Sequence, residues 1–339
     1  MNNFPESVRS AWHLVALSGD VRAGRPIARA AAGTPIALFR TEAGLHALVD
    51  RCPHRNFPLS DGQVVGGTLQ CPYHGWRFAP DGSCSEVPGC VAPPEGGTRL
   101  SARPVRAVER YGGIFVNVSG AASDGPDLPP IPETDGHDHF WWSQGVWNCR
   151  AFDAVENVMD PFHTNFIHHG FIRRKDRRLP VALHVNGFAR GIEMVIDQTQ
   201  PDLGVMSRFL EGGERARSRT RYYPPTIVQA RWEAPERLTL CVTAFFTPES
   251  DETIRPFACF TTPKGLAPSW LKQAAIRLFL TPVVRQDRIA LERQNAVIRR
   301  FGAPRYTEGP GDLLGSRVQD LYDGASLTPG ADDPRQVLL

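Results

Sequence analysis

Four metal-binding side chains fall in two short mixed pairs, and no other feature restricts the fold of this chain more. Cys52-Pro-His54 is followed, after sixteen intervening residues, by Cys71-Pro-Tyr-His74. Two thiols and two imidazoles can share one centre only if the chain doubles back and presents two tight loops to each other. Pro53, Pro72 and Gly75 are residue types that hold such loops. Each pair also sits where a strand-like stretch gives way to a turn. About ninety residues further on comes a second set, Asn157, Asp160, His163 and His168.

The chemistry follows from the donors. Two cysteines and two histidines in this order form the ligand set of a Rieske [2Fe–2S] centre, in which the histidines hold one iron and the cysteines the other. Zinc is the competing reading, since Cys2His2 is also a zinc set. Zinc modules, however, usually pair Cys with Cys and His with His, whereas both pairs here are mixed. His163 and His168 supply two of the three ligands of a 2-His-1-carboxylate site, which leaves positions open on Fe(II) for oxygen chemistry. One set stores an electron and the other can use it on O2, so the pair argues for an oxygenase. A Rieske electron-transfer protein with a non-catalytic binding domain, and a zinc-stabilised structural protein, are the alternatives.

Bulk properties narrow the setting. A chain of 339 residues is long enough for two domains. It is 41% hydrophobic and 22% charged, with mean hydropathy −0.28. No apolar run approaches the ~18 residues of a membrane span. The first residues have neither a basic region nor an apolar one, so the expected location is cytoplasmic. A net charge of +2 makes no case for nucleic acid. The basic run of Arg173, Arg174, Lys175, Arg177 and Arg178 reads as a solvated loop. Thirty prolines and thirty-one glycines point to short strands and many turns. Seven cysteines make an odd set without a disulfide framework. Cys84, Cys90, Cys149, Cys241 and Cys259 read as small buried hydrophobes, with a ligand role for Cys84 or Cys90 as the alternative.

The organisation is α+β. Residues 10–118 read as β, with strands at 34–40, 45–50 and 113–118. Residues 119–139 are rich in Gly, Pro, Asp and Ser and read as a linker. The expected domains are residues 1–128 and residues 129–339. In the second, residues 152–169 look helical, 181–262 return to strands, and 269–300 are helical with a break expected at Thr281-Pro282.

The third iron ligand must be a carboxylate from elsewhere. On the last helical tract Val284, Asp287, Leu291, Gln294 and Ile298 form one stripe. A carboxylate on an apolar stripe is costly to bury unless it is paired or binds a metal. Asp287 is the candidate, an ion pair with a nearby arginine the rival explanation, and Glu292 the second choice. Taken alone, Asp160 before Pro161 reads as a helix cap, and His169 competes with His168.

The segment Asn157-x2-Asp160-x2-His163-x4-His168, below Cys52-Pro-His54-Arg55 and Cys71-Pro-Tyr-His74-Gly75-Trp76, resembles the Rieske non-haem iron oxygenase α-subunits. Respiratory Rieske proteins carry two further loop cysteines where this chain has Phe57 and Tyr73. The potential is therefore expected toward the low end of the Rieske range, roughly −150 mV. The resemblance implies an all-β Rieske domain followed by a helix-grip-like catalytic domain. It implies His163 and His168 as iron ligands, a late-helix carboxylate such as Asp287 as the third, and Asn157 beside the iron. Asp160 would join His74 of a neighbouring subunit to His163, which implies a homotrimer. Similarity to the single-subunit oxygenases that demethylate or hydroxylate aromatic acids implies O2, an aromatic or other cyclic substrate, and electrons from a separate reductase or ferredoxin. Gly309 to Gly315 lacks the dinucleotide-binding spacing, consistent with an external source of reductant. Ala244 stands where the dicamba O-demethylase type carries a polar histidine, which implies a more apolar or bulkier substrate.

Overall fold

The structure is a computed structural model that describes residues 4–90, 97–120, 125–131, 136–172, 178–197, 217–234, 237–265, 267–326, 330–332 and 334–339. Four of the five members of the basic run, Arg173, Arg174, Lys175 and Arg177, lie outside the described residues. The chain divides into two compact units. One comprises Met1–Asp127 with Thr247–Asp251, the other Leu128–Phe246 with Glu252–Leu339.

After a short helix α1 (Glu6–Ser10), the described residues of the first unit form three small antiparallel sheets. Strands β1 (Trp12–Leu17), β10 (Gly113–Asn117) and β9 (Arg106–Arg110) form one, with β10 in the middle. That central position is why Gly-Ile-Phe-Val-Asn is buried along its whole length. Strands β2 (Ile27–Ala31), β3 (Thr34–Thr41) and β4 (Gly44–Val49) form the second. Strands β5 (Gln63–Val65), β6 (Thr68–Gln70), β7 (Arg77–Phe78) and β8 (Cys84–Glu86) form the third. The β5–β6 hairpin turns on Gly66-Gly67, both at positive φ, as a two-residue hairpin loop requires. Phe39, Leu48, Leu59, Leu69 and Phe78 make the core that carries Cys52 and Cys71.

Among the described residues the second unit is built on an antiparallel sheet of nine strands. Its order is β11 (His137–Ser143), β17 (Thr253–Pro263), β16 (Arg237–Ser250), β15 (Ile227–Ala234), β14 (Arg217–Tyr223), β13 (Gly191–Asp197), β12 (Pro180–Phe188) and β18 (Gly330–Ala331), with β19 (Arg335–Leu338) also paired to β12. Strand alternation sends Val228, Ala230 and Trp232 of β15 to one face, opposite Ala244, Val242 and Leu240 of β16. Among the described residues three helices complete the unit: α2 (Ala151–Met159), α3 (Ser269–Phe301) and α4 (Gly315–Asp323). Ile276 and Leu280 of α3 pack with Leu240, Phe260 and Trp232, which seats the long helix on the sheet. Sheet with a few helices is the α+β class expected from the sequence.

Several local expectations are corrected. The helix expected over residues 152–169 stops at Met159, and Phe162–Asn165 form a separate 3-10 turn. Proline disfavours helical backbone in the residue before it, and Asp160, preceding Pro161, is extended at φ −79 and ψ 118. The break expected at Thr281-Pro282 is absent, since α3 runs through Pro282. Thr281 does not cap: its hydroxyl donates back to the carbonyl of Arg277. The buried stripe of α3 is Ile276, Val283, Leu291 and Asn295, whereas Gln294 is exposed. Cys149, Cys241 and Cys259 are buried as expected, but Cys90 is exposed and Cys84 half-buried.

Candidate active site and metal centres

The first pair of loops repeats one backbone design. In residues 52–57 the Cys52 N–H donates to the Phe57 carbonyl and the Asn56 N–H to the Cys52 carbonyl, at 2.8 and 2.9 Å. In residues 71–76 the Cys71 N–H donates to Trp76 and the Gly75 N–H to Cys71, at 2.8 and 3.0 Å. The fifth residue of each loop takes positive φ, Asn56 at 61° and Gly75 at 73°. A Cβ at Gly75 would also sit 2.9 Å from Pro88 Cγ. Glycine suits that position on both counts.

The loops bring thiol to thiol and imidazole to imidazole. The two thiols are neighbours, and burial together with Cys71 pushes the Cys52 thiol up to about 11, against the N–H groups of His54 and Arg55, which lower it. Both cysteines are buried, while His54 is half-buried and His74 exposed. The His54 and His74 rings are 4.6 Å apart, and the Trp76 indole stacks on His54 at 4.6 Å and 5°. His54 Nδ1 is buried with no hydrogen-bond partner. Paired inner thiols and an inward imidazole nitrogen left unpaired fit a cluster held by sulfur inside and nitrogen outside.

The second set converges in the sheet–helix unit. Asp160 closes α2, and its carboxylate accepts the N–H groups of Phe162 (2.8 Å) and His163 (3.1 Å). It therefore caps the 3-10 turn that carries His163. The Asp160 carbonyl accepts from His163 Nδ1 at 2.7 Å, so that nitrogen must carry the proton and Nε2 presents a lone pair. His168, buried at 1% exposure, is held likewise by Gln286 Oε1 at 3.0 Å from its Nδ1. Asp287 on α3 completes the group: donor atoms of His163, His168 and Asp287 all lie within 4.8 Å of one another.

Lone pairs meet in this triad. Asp287 Oδ1 lies 2.9 Å from His168 Nε2 and 3.7 Å from His163 Nε2, yet it has no hydrogen bond. The ion-pair distance and the missing hydrogen bond agree once both Nδ1 atoms hold the protons, because three acceptors then face one point. Three facing acceptors are stable only around a cation, and two imidazoles with one carboxylate match the facial donor set for Fe(II). Burial lowers the basicity of His163, but the Asp160 and Asp287 carboxylates outweigh it and hold its pKa above the ordinary value. The field at this point favours positive charge.

The other candidates fall elsewhere. Glu292 accepts from Arg288 Nε at 2.9 Å and from the Asn148 N–H, away from the triad. His169 is exposed and bonded to the Phe166 carbonyl. Asn157 lines the same cavity as the triad. Sequence reasoning gave no role to Gln286, whose only signal was its place next to Asp287.

A cavity of about 280 Å³ opens beside the triad. Its walls are mostly apolar, from Val158 on α2, Leu280, Val283 and Leu291 on α3, and Val242, Ala244 and Phe246 on β16. Ala244 thus stands in the cavity wall.

A cluster cradle and a cavity-bound His-His-Asp triad together define a Rieske-type non-haem iron oxygenase. Residues 11–107 match the Rieske [2Fe-2S] domain family, and residues 147–325 match the vanillate O-demethylase oxygenase C-terminal domain family, to which this chain therefore belongs. A Rieske cluster and a mononuclear Fe(II) are the cofactors of this class. The chain is 29% identical over 321 residues to the 4beta-methylsterol monooxygenase of Methylococcus capsulatus, covering 88% of this chain and 84% of that one. It is 31% identical over 173 residues to the oxygenase component of a 3-ketosteroid-9-alpha-monooxygenase from Rhodococcus rhodochrous, a match spanning 48% of this chain and 44% of that protein. Dicamba monooxygenase bound to 3,6-dichlorosalicylic acid superposes with a TM-score of 0.78 at 25% identity, over 93% of this chain and 96% of that one. Among the described residues no helix is long and apolar enough to cross a membrane.

Proposed function

We propose that this chain is the terminal oxygenase component of a Rieske-type system, hydroxylating or oxidatively dealkylating an apolar cyclic small molecule. The observation that carries this reading is the convergence of His163 Nε2, His168 Nε2 and Asp287 Oδ1 beside an apolar cavity. In this reading Cys52, His54, Cys71 and His74 hold the cluster, and His163, His168 and Asp287 hold the iron. When bound, the cluster supplies single electrons and the iron supplies O2 activation. The protein's own part is positioning. Asp160 and Gln286 fix the tautomers of the two histidines, Asn157 borders the metal, and the cavity walls exclude water and orient the substrate.

Asp160 has a second role in this proposal. Its carboxylate joins His74 of the partner subunit to His163, so the working unit is a homotrimer. The support is the resemblance of the Asp160–His163–His168 spacing to the family motif. A separate reductase or ferredoxin delivers the electrons, as the description of a relative as an oxygenase component supports. Cytoplasmic location is supported by seven cysteines without a disulfide among them.

The test is turnover under 18O2 with NAD(P)H and a surrogate reductase, over a panel of cyclic substrates scored by product mass. Labelled oxygen in a product, from brown protein with about three irons per chain, is expected. Zinc in place of iron, or two irons and no O2-dependent product, would overturn it. Asp160→Asn is expected to keep both metal centres and stop turnover; normal turnover would remove the bridge from the proposal.

A further inference from the structure

The sheet wall of the cavity contains two hydroxyls in apolar surroundings. Register aligns Ile196, Ser218, Trp232 and Leu240 in one row across β13 to β16. The next row is Met194, Thr220, Ala230 and Val242. All of these line the cavity. Apart from the Trp232 indole, Ser218 and Thr220 are the only members of the two rows with a hydrogen-bonding side chain. They stand two residues apart on one face of β14, with side chains on the same side. Neither hydroxyl has a hydrogen-bond partner among the described residues, and Ser218 is only 7% exposed. A hydroxyl that faces an otherwise apolar cavity offers a hydrogen bond in low-dielectric surroundings, so a ligand that meets it gains affinity.

Charge on the same strands is turned away from this wall. Two arginines border the cavity, and they share the Glu233 carboxylate, with Arg231 Nε making no hydrogen bond. Arg219 Nε lies 3.1 Å from Glu233 Oε2, and Arg231 Nε lies 3.5 Å from Glu233 Oε1. The two lining histidines belong to the triad. Arg219 and Arg231 are register partners whose side chains alternate to the face opposite Ser218, Thr220, Ala230 and Trp232. Neither guanidinium therefore faces a substrate carboxylate from this wall, and an unpaired buried carboxylate is strongly disfavoured.

We propose that Ser218 and Thr220 are specificity-determining residues, and that the substrate is a neutral, apolar cyclic compound carrying a carbonyl or hydroxyl oxygen that they bind. A hydroxyl can donate to a carbonyl and can accept from an alcohol, so both oxygen functions fit. This rests on the oxygenase reading for the location of the site, and it narrows the substrate to one that is not an acid.

The test uses two isosteric series on the iron-loaded protein without O2, read by titration calorimetry. One is adamantyl methyl ketone, isopropyladamantane and adamantane carboxylate; the other is acetylnaphthalene, isopropylnaphthalene and naphthoate. In at least one series the ketone is expected to bind about tenfold more tightly than either relative. Ser218→Ala with Thr220→Val is expected to bring the ketone to the level of the hydrocarbon. Because the wild-type comparison needs no variant, a misfolded double mutant leaves the test intact. Carboxylate binding equal to ketone, a ketone advantage that survives the double substitution, or no binding in either series would overturn the proposal. The 18O2 assay separates the two readings. Ketone preference without labelled product sinks the oxygenase assignment alone, and labelled product without ketone preference sinks this inference alone.

Discussion

Gln286 and Asp287 are adjacent on α3 and, in the proposed site, serve the same metal position in different ways. Asp287 faces the two imidazole lone pairs, and Gln286 fixes the tautomer of His168 from behind. Asp287→Ala is expected to reduce iron from about three to about two per chain while the visible spectrum of the cluster persists. Glu292→Ala, which removes a carboxylate bonded to Arg288 and Asn148, is expected to leave iron content unchanged. Metal analysis beside absorption separates the two outcomes. Gln286→Leu leaves every proposed ligand in place but removes the acceptor for His168 Nδ1. Its expected effect is a roughly 10–100-fold weaker affinity for Fe(II), read by competition with a chelator.

At the scale of elements, one proline divides what periodicity reads as a single helix. Pro161 forces Asp160 out of helical backbone, which ends α2 and frees the Asp160 carboxylate to cap the next turn. Pro161→Ala is expected to let α2 continue and swing His163 out of register with His168. Mononuclear iron would then be lost while the cluster spectrum remains; full iron occupancy in this variant would count against the account. The strands were legible because alternation and turn residues agree, as at β3, β4 and β10. Helix limits were less so. Residues 152–169 carry helical periodicity that a local backbone constraint overrides, and α3 continues through Pro282 where composition suggested a stop. The stripe read on α3 included Gln294, which is exposed, and omitted Asn295, which is buried and donates to the carbonyls of Asn148 and Glu252. That pairing depends on segments far away in sequence, so no periodicity could reveal it. Ser218 and Thr220 were hidden for a similar reason, since their surroundings come from neighbouring strands.

At the scale of the whole molecule, acid stability has an identifiable source in the first unit. His13 is buried, its Nε2 donates to the Val8 carbonyl at 2.7 Å, and burial lowers its pKa to about 4. The unfolded chain binds this proton near pH 6.5 and the folded chain does not. Stability from the neutral ring is therefore fully present above about 6.5 and declines as pH falls toward 4. The expected loss is on the order of 3 kcal/mol over that window. His13→Leu is expected to flatten the acid limb of a Tm-against-pH profile; an unchanged limb would assign the loss to other groups.

The two cluster loops share one backbone pattern, yet their histidines are not equivalent. Trp76 stacks on His54, whereas His74 is exposed beside Tyr73. A cradle that is nearly twofold in its hydrogen bonds is thus given a front and a back by a single indole. Any reagent or docking protein approaching from solvent meets the two imidazoles on unequal terms, and chemical modification of this motif would be ordered, with His74 reacting ahead of His54.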